Sequence, residues 1–149
     1  MNAKKFIETQ VEDIKKTVGK GKAISALSGG VDSATCTVLA HRALGSQLQS
    51  IFIDHGLMRE GEPREVAKIF GGLGITVDIV DKKKEFFSSL KEKADPEEKR
   101  KAFRYAFYDS FGREVLKSKA TFLIQGTIAA DIIETQKGVK TQHNILEQI

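Results

Sequence analysis

Apolar residues at Ala3, Phe6, Ile7, Val11, Ile14 and Val18 recur every three or four positions and stop at Gly19, the spacing of one apolar stripe on a helix. The period then changes. Residues 22–27 (Lys-Ala-Ile-Ser-Ala-Leu) form a short, mostly apolar run that reads as a buried strand. Helical spacing returns over 34–44, with Ala34, Val38, Leu39 and Ala43 on the apolar side and Gly45 as the stop. Strands are predicted again over 49–53, 75–80 and 121–124. Helices are predicted over 62–73, with Pro63 in the first turn, over 82–91, and over 96–117, where Asp95 stands as N-cap.

Strands that alternate with helices imply βαβ units: an α/β fold with a parallel sheet and helices on both faces. Ligands of such sheets bind outside the carboxyl ends of the strands. Those ends are residues 28–33, 54–59, 81–84 and 125–127, and the glycines and polar residues gather there. Beyond Thr127 the pattern becomes loop-like. No repeat, low-complexity segment or linker interrupts the 149 residues, which amount to one domain.

Composition narrows the class further. With 40% hydrophobic and 30% charged residues the chain has a globular balance, and it contains no apolar run long enough to span a bilayer. The first residues lack the apolar stretch of a secretory signal. Cys36 is the only cysteine, which excludes an internal disulfide and a cysteine-based zinc site and leaves core packing as its role. A cytoplasmic location is expected. The net charge of +4 is concentrated between residues 82 and 119, in Lys82-Lys83-Lys84 and Lys99-Arg100-Lys101. Such runs are usually solvated helix faces, although a nucleotide or tRNA would be drawn to them as well.

The segment with the sharpest chemistry is Ser28-Gly29-Gly30-Val31-Asp32-Ser33, set between the first strand and Ala34 of the next helix. Glycines let backbone N–H groups approach an anion, the helix start presents its positive dipole end, and two serines add hydroxyl donors. Together they describe a phosphate cradle, with Asp32 placed to hold a divalent cation beside the phosphates. A Walker-type loop is excluded because no G-x-x-x-x-G-K-[ST] occurs. Gly19-Lys20-Gly21 precedes the strand and reads as a helix cap and turn.

This loop resembles the S-G-G-x-D-S loop of the N-type ATP pyrophosphatases, which cleave ATP between the α and β phosphates and adenylate a substrate. Later segments resemble the GMP synthetases within that group. Residues 51–59 (Ile-Phe-Ile-Asp-His-Gly-Leu-Met-Arg) are similar to F-V-D-[HN]-G-L-L-R, and residues 95–101 to D-P-E-x-K-R-K. Gln125-Gly126-Thr127, Asp131 with Glu134, and Lys140-Thr141-Gln142-His143-Asn144 are similar to Q-G-T, D-x-x-E and I-K-[ST]-[HQ]-H-N. Gln142 stands where many members have histidine.

The resemblance implies an adenine nucleotide alpha hydrolase-like fold and the synthetase subunit of a glutamine-dependent GMP synthetase. It implies ATP and Mg²⁺ as cofactors and xanthosine monophosphate as the substrate that is adenylated and then aminated. Ser28, Gly29, Gly30, Val31, Asp32, Ser33 and Ala34 would hold the nucleotide with Asp54, Gln125, Gly126 and Thr127. Asp32 would be the metal ligand. Asp32, Lys99, Arg100, Asp131, Glu134, Lys140 and His143 would be the catalytic set. Asp54 is equally readable as a turn residue before Gly56, and Lys99 and Arg100 as a solvated helix start or as a lid; His41 and His55 need no role. No G-x-C-x-G nucleophile elbow occurs, so ammonia is expected from a separate glutaminase partner. The family continues past the position of Asn144 into a C-terminal dimerisation domain, so 1–149 is expected to be an N-type ATP-pyrophosphatase domain incomplete at its C-terminus and dimeric at full length. Two other readings use the same loop: a tRNA-modifying pyrophosphatase, with a lone Cys36 opposing the thiolating kind, and a non-catalytic nucleotide sensor.

Overall fold

The computed structural model describes residues 2–127. The first helix, α1 (Ala3–Val18), is opened by Asn2, whose side chain accepts the Lys5 N–H, and closed by Gly19 at φ 56°. Strand β1 (Ala23–Leu27), helix α2 (Val31–Leu44), strand β2 (Leu48–Asp54), helix α3 (Glu62–Gly72) and strand β3 (Val77–Asp81) follow in alternation. Two consecutive helices, α4 (Lys83–Leu90) and α5 (Pro96–Ser118), then lead to strand β4 (Phe122–Ile124). As expected, Asp95 caps α5: its carboxylate accepts the Glu98 N–H at 2.8 Å. No helix among the described residues is long and apolar enough to cross a membrane.

All four strands are parallel, in the order β3-β2-β1-β4. The chain therefore builds outward from β1 to β3 and then returns to β1's other side, so the topological switch point lies between β1 and β4. Side-chain alternation sends each strand's residues to two layers. Ile24, Ile51 and Ile53 face α4 and α5, where they pack on Phe86 and Phe111. Leu27 and Phe52 face the other way, onto Phe70 of α3 and onto Ala34 and Val38 of α2. Val18, Ala23 and Leu44 join α1 to this second layer. Helices thus cover both faces, as the alternating pattern predicts.

Two element starts and one helix face differ from the sequence reading, each for a local reason. Helix α2 starts at Val31 rather than Ala34, because Gly30 is the extended N-cap and the first helical bond runs from Ala34 N–H to Gly30 O at 3.1 Å. Its buried positions are Thr37, Ala40 and Leu44, with Leu39 only half-buried. The face turns toward Thr37 because that hydroxyl donates to Ser25 Oγ (3.2 Å), which in turn bonds Ser50 Oγ (3.3 Å), a buried chain tying α2 to β1 and β2. Strand β3 begins at Val77, not Ile75. The Ile75 N–H bonds Phe70 O at 2.9 Å around Gly74 at φ 76°, so Ile75 closes the helix before it and packs on Phe70 as a Schellman cap residue.

Candidate nucleotide site

Ser28–Ala34 follow β1, Asp54 ends β2 and Gln125–Thr127 follow β4, so these residues lie at the carboxyl edge of the sheet. After Leu27 the chain turns through Gly29 at φ 80°, a left-handed conformation that disfavours any side chain. A closed ring of hydrogen bonds follows. Ser33 Oγ donates to Gly30 O (3.1 Å) and accepts the Ser28 N–H (3.3 Å), while Ser28 Oγ accepts the Gly30 N–H (3.3 Å). The two hydroxyls lie 3.0 Å apart, and since Ser33 has given its proton to Gly30 O, Ser28 is the donor between them. The turn is thereby set without a ligand.

Because α2 starts at Val31, the N–H groups of Val31, Asp32 and Ser33 are the unpaired donors that open any helix, at the positive end of its dipole. Val31 is 79% exposed, so its side chain serves no core and its backbone is what the position supplies. The Asp32 carboxylate is exposed in the same turn and joins no ion pair among the described residues.

Across the switch point, Gly126 follows β4 and lies against this turn. A Cβ on Gly126 would meet the Asp32 carbonyl carbon and the Ser33 nitrogen at 2.7 Å. Gly126 is thus needed for space, to let the β4 end lie flat on the backbone of the cradle. On either side of it, Gln125 Oε1 and Thr127 Oγ1 are buried with no hydrogen-bond partner among the described residues. Buried acceptors and hydroxyls are ordinarily partnered, so these two stand out among the described residues.

At the end of β2, Asp54 is buried and both its oxygens are engaged. Oδ1 accepts the Gly56 N–H at 3.0 Å, and Oδ2 pairs with Lys83 Nζ at 2.9 Å. That hydrogen bond and the charge of Asp54 hold the Lys83 ammonium above its ordinary pKa. Lys82 pairs with Glu85 at 3.2 Å, so two members of the basic run 82–84 are occupied within their own layer. His55 lies between Phe86 and Phe103, with ring centroids at 5.4 and 4.9 Å, and its Nδ1 accepts the Leu57 N–H at 3.1 Å. Burial lowers its pKa, against the opposing charges of Asp54 and Glu62. Its ring is therefore a neutral packing element under α5.

Lys99 and Arg100 stand in the first turn of α5. One turn later Phe103 touches His55, so that first turn reaches beyond the strand ends, on the same edge as the cradle but from the opposite layer. Arg100 is paired with Glu97 at 2.7 Å. Cys36 is half-buried, and burial and then Asp32 push its thiol pKa up, which keeps it protonated and unreactive. Asp131, Glu134, Lys140 and His143 lie outside the described residues.

Glu62 is a neighbour of the cradle that the sequence reading did not single out. It opens α3, and its Oε1 would lie 2.8 Å from a Cβ on Gly29. Its only sequence signal is an acidic residue in a helix's first turn, where acidic residues are common for dipole reasons alone.

The donors here are hard oxygens, the Asp32 and Glu62 carboxylates and the Ser28 hydroxyl, which suit Mg²⁺ rather than a soft metal. Among the described residues no three His, Cys, Asp or Glu side chains converge on one point. Mg²⁺ is commonly held by one or two carboxylates together with substrate phosphates.

Known proteins share the sequence pattern and the fold of this chain. Residues 3–137 match the PP-loop domain family. The chain is 52% identical over 145 residues to a subunit of the glutamine-hydrolyzing GMP synthase of Archaeoglobus fulgidus, covering 97% of this chain and 47% of that protein. It is 46% identical over 143 residues to the protein of the same name from Methanopyrus kandleri, covering 95% and 46%. The chain thus spans about half the length of the curated relatives it matches. Among solved structures it is similar to an NH3-dependent NAD synthetase from Campylobacter jejuni, with a TM-score of 0.71 at 17% identity over 91% of this chain and 61% of that one, a likeness of fold. The chain belongs to the PP-loop family.

Proposed function

We propose that this PP-loop chain provides the ATP-pyrophosphatase domain, residues 1–149, of a GMP synthase synthetase subunit. In this reading it is a cytoplasmic carbon–nitrogen ligase that adenylates xanthosine monophosphate and releases AMP and pyrophosphate on amination to GMP. A separate glutaminase subunit supplies ammonia, and the full-length protein is a homodimer. The observation that carries the reading is the preset ring of Ser28, Gly30 and Ser33 beneath three unpaired helix N–H groups, with Gly126 packed against it at the switch point. Such a turn binds an anion without reorganising, which is how preorganised donors stabilise charge as it develops on a leaving group. The similarity to GMP synthase subunits supports the choice of substrate.

In this mechanism the N–H groups of Val31, Asp32 and Ser33 take the β and γ phosphates of ATP, on a turn that the Ser28 and Ser33 hydroxyls hold in shape. Asp32 holds Mg²⁺, which supplies Lewis-acid neutralisation of the phosphates when bound. Gln125 and Thr127 flank Gly126 beside the nucleotide. Lys99 and Arg100 close over the phosphates from the opposite layer, and Asp131, Glu134, Lys140 and His143 complete the site.

The test is a chimera in which residues 1–149 replace the matching segment of the Archaeoglobus fulgidus relative. We expect GMP from xanthosine monophosphate, ATP, Mg²⁺ and ammonium, and pyrophosphate release that bulk tRNA does not elicit. A folded chimera that releases pyrophosphate with tRNA, or makes no GMP, overturns the assignment.

A further inference from the structure

We propose that Glu62 makes polyphosphate binding at the Ser28–Ser33 turn conditional on a divalent cation. This rests on the reading of that turn as the pyrophosphate cradle. Two observations fix the carboxylate in place. Its Oε2 accepts the Arg59 N–H at 3.1 Å, which anchors it to the turn before α3. Its Oε1 faces the other way, close enough to Gly29 that a Cβ there would come within 2.8 Å. A carboxylate is therefore held against the loop whose backbone N–H groups are placed to receive an anion.

The turn before α3 needs an acceptor at this position but has no need of a charge. An amide oxygen would accept the Arg59 N–H equally well. Beyond the modest dipole stabilisation of a helix start the charge is not needed by the fold, and it lies against Gly29 of the cradle. Among the described residues neither Glu62 nor Asp32 has a basic partner. A bare polyphosphate entering the cradle thus meets two uncompensated negative charges, whereas a phosphate carrying a divalent cation converts both into attraction. Free pyrophosphate would be turned away and its magnesium complex admitted. Glu62 acts as a specificity residue for the charge state of the ligand, distinct from Asp32 because it lies outside the loop and is held by a different helix.

The experiment is calorimetric titration of inorganic pyrophosphate into the full chain and into Glu62→Gln, each with excess chelator and with saturating Mg²⁺. Gln keeps the Arg59 bond, and a melting curve for each protein checks that the fold is retained. In chelator, Glu62→Gln should bind pyrophosphate about tenfold tighter than the wild type, the size of one unit charge removed at near-contact range in an exposed site. In Mg²⁺ that advantage should vanish or reverse, so the ratio of affinities with and without metal drops about tenfold or more in the variant. The same metal dependence in both proteins overturns the role of Glu62 and leaves the cradle intact. If the wild type binds pyrophosphate under neither condition, the cradle reading itself fails and this inference fails with it.

Discussion

Substituting Gly126 by alanine should separate the end of β4 from the cradle, and its size follows from the structure. The added Cβ would lie 2.7 Å from both the Asp32 carbonyl carbon and the Ser33 nitrogen, and 2.9 Å from the Asp32 oxygen. Ordinary contact between such atoms begins at ~3.5 Å, so the two segments must part by roughly 0.7 Å. Neither can yield by rotating a side chain, since the obstruction is the backbone of the first turn of α2. Overpacking of this kind costs about 1–3 kcal/mol, which in a chain of this length lowers Tm by roughly 3–10 °C. The displaced atoms also carry the phosphate donors. A hydrogen bond stretched from about 2.9 Å by that amount is lost, and one charged bond is worth about 1.5–3 kcal/mol, or roughly 10- to 100-fold in affinity. Calorimetry with magnesium pyrophosphate and thermal melts read both effects. Gly112→Ala is the control, in the interior of α5 with nothing within 4 Å of its added Cβ. It should raise stability by about 0.5–1 kcal/mol through helix propensity. Gly126→Ala with wild-type melting and wild-type affinity would refute the packing argument.

Three further outcomes are expected. Ser33→Ala removes the hub of the loop's hydrogen-bond ring, and should weaken magnesium pyrophosphate binding about tenfold while lowering stability by about 1 kcal/mol; unchanged affinity would mean the ring is not needed to hold the cradle. The pKa of His55 is lowered from 6.5 by burial, so the folded state resists protonation that the unfolded chain accepts: this contribution to stability is present above pH 6.5 and is lost as pH falls below it. His55→Asn, which can keep the Leu57 turn bond through its Oδ1, should flatten the acid side of the Tm profile, and an equally steep fall would show that other groups cause it. Replacing Lys99 and Arg100 together by alanine should lower kcat far more than ATP affinity in the active chimera if they meet the phosphates only on closure; full turnover would leave them a solvated helix start.

The element order, the two-layer arrangement and the strand-to-helix turn at 28–33 were legible in the sequence because each rests on local information. The alternation of Ile24, Ile51 and Ile53 with Leu27 and Phe52 is a period-two signal, and the glycines and serines of 28–33 carry their chemistry in a contiguous stretch. Misplaced boundaries arose where one residue serves two elements. Ile75 looks like the first residue of a strand by composition, yet its N–H is taken by Phe70 O, so it ends the preceding helix. Val31, Asp32 and Ser33 looked like loop because they are polar or exposed, yet they form the first helical turn.

What the sequence leaves hidden are the contacts between segments far apart in the chain. Asp54 reads as a turn residue or a ligand with equal ease, and nothing local to it announces Lys83 on its second oxygen. Gly126 reads as one letter of a motif, but its reason is Asp32, on the strand-to-helix turn beside it, and only the order β3-β2-β1-β4 makes them neighbours. The same order explains why the site is where it is. Because β4 returns to the free side of β1, Gly126 at its end lies against the turn after β1, while the start of α3, after β2, brings Glu62 to Gly29 on the same turn. The cradle thus has a rigid wall on one side, in Gly126, and a charged one on the other, in Glu62. On the reading proposed above, an anion lying between them is best received with a bound divalent cation, which is what the titrations with and without Mg²⁺ decide.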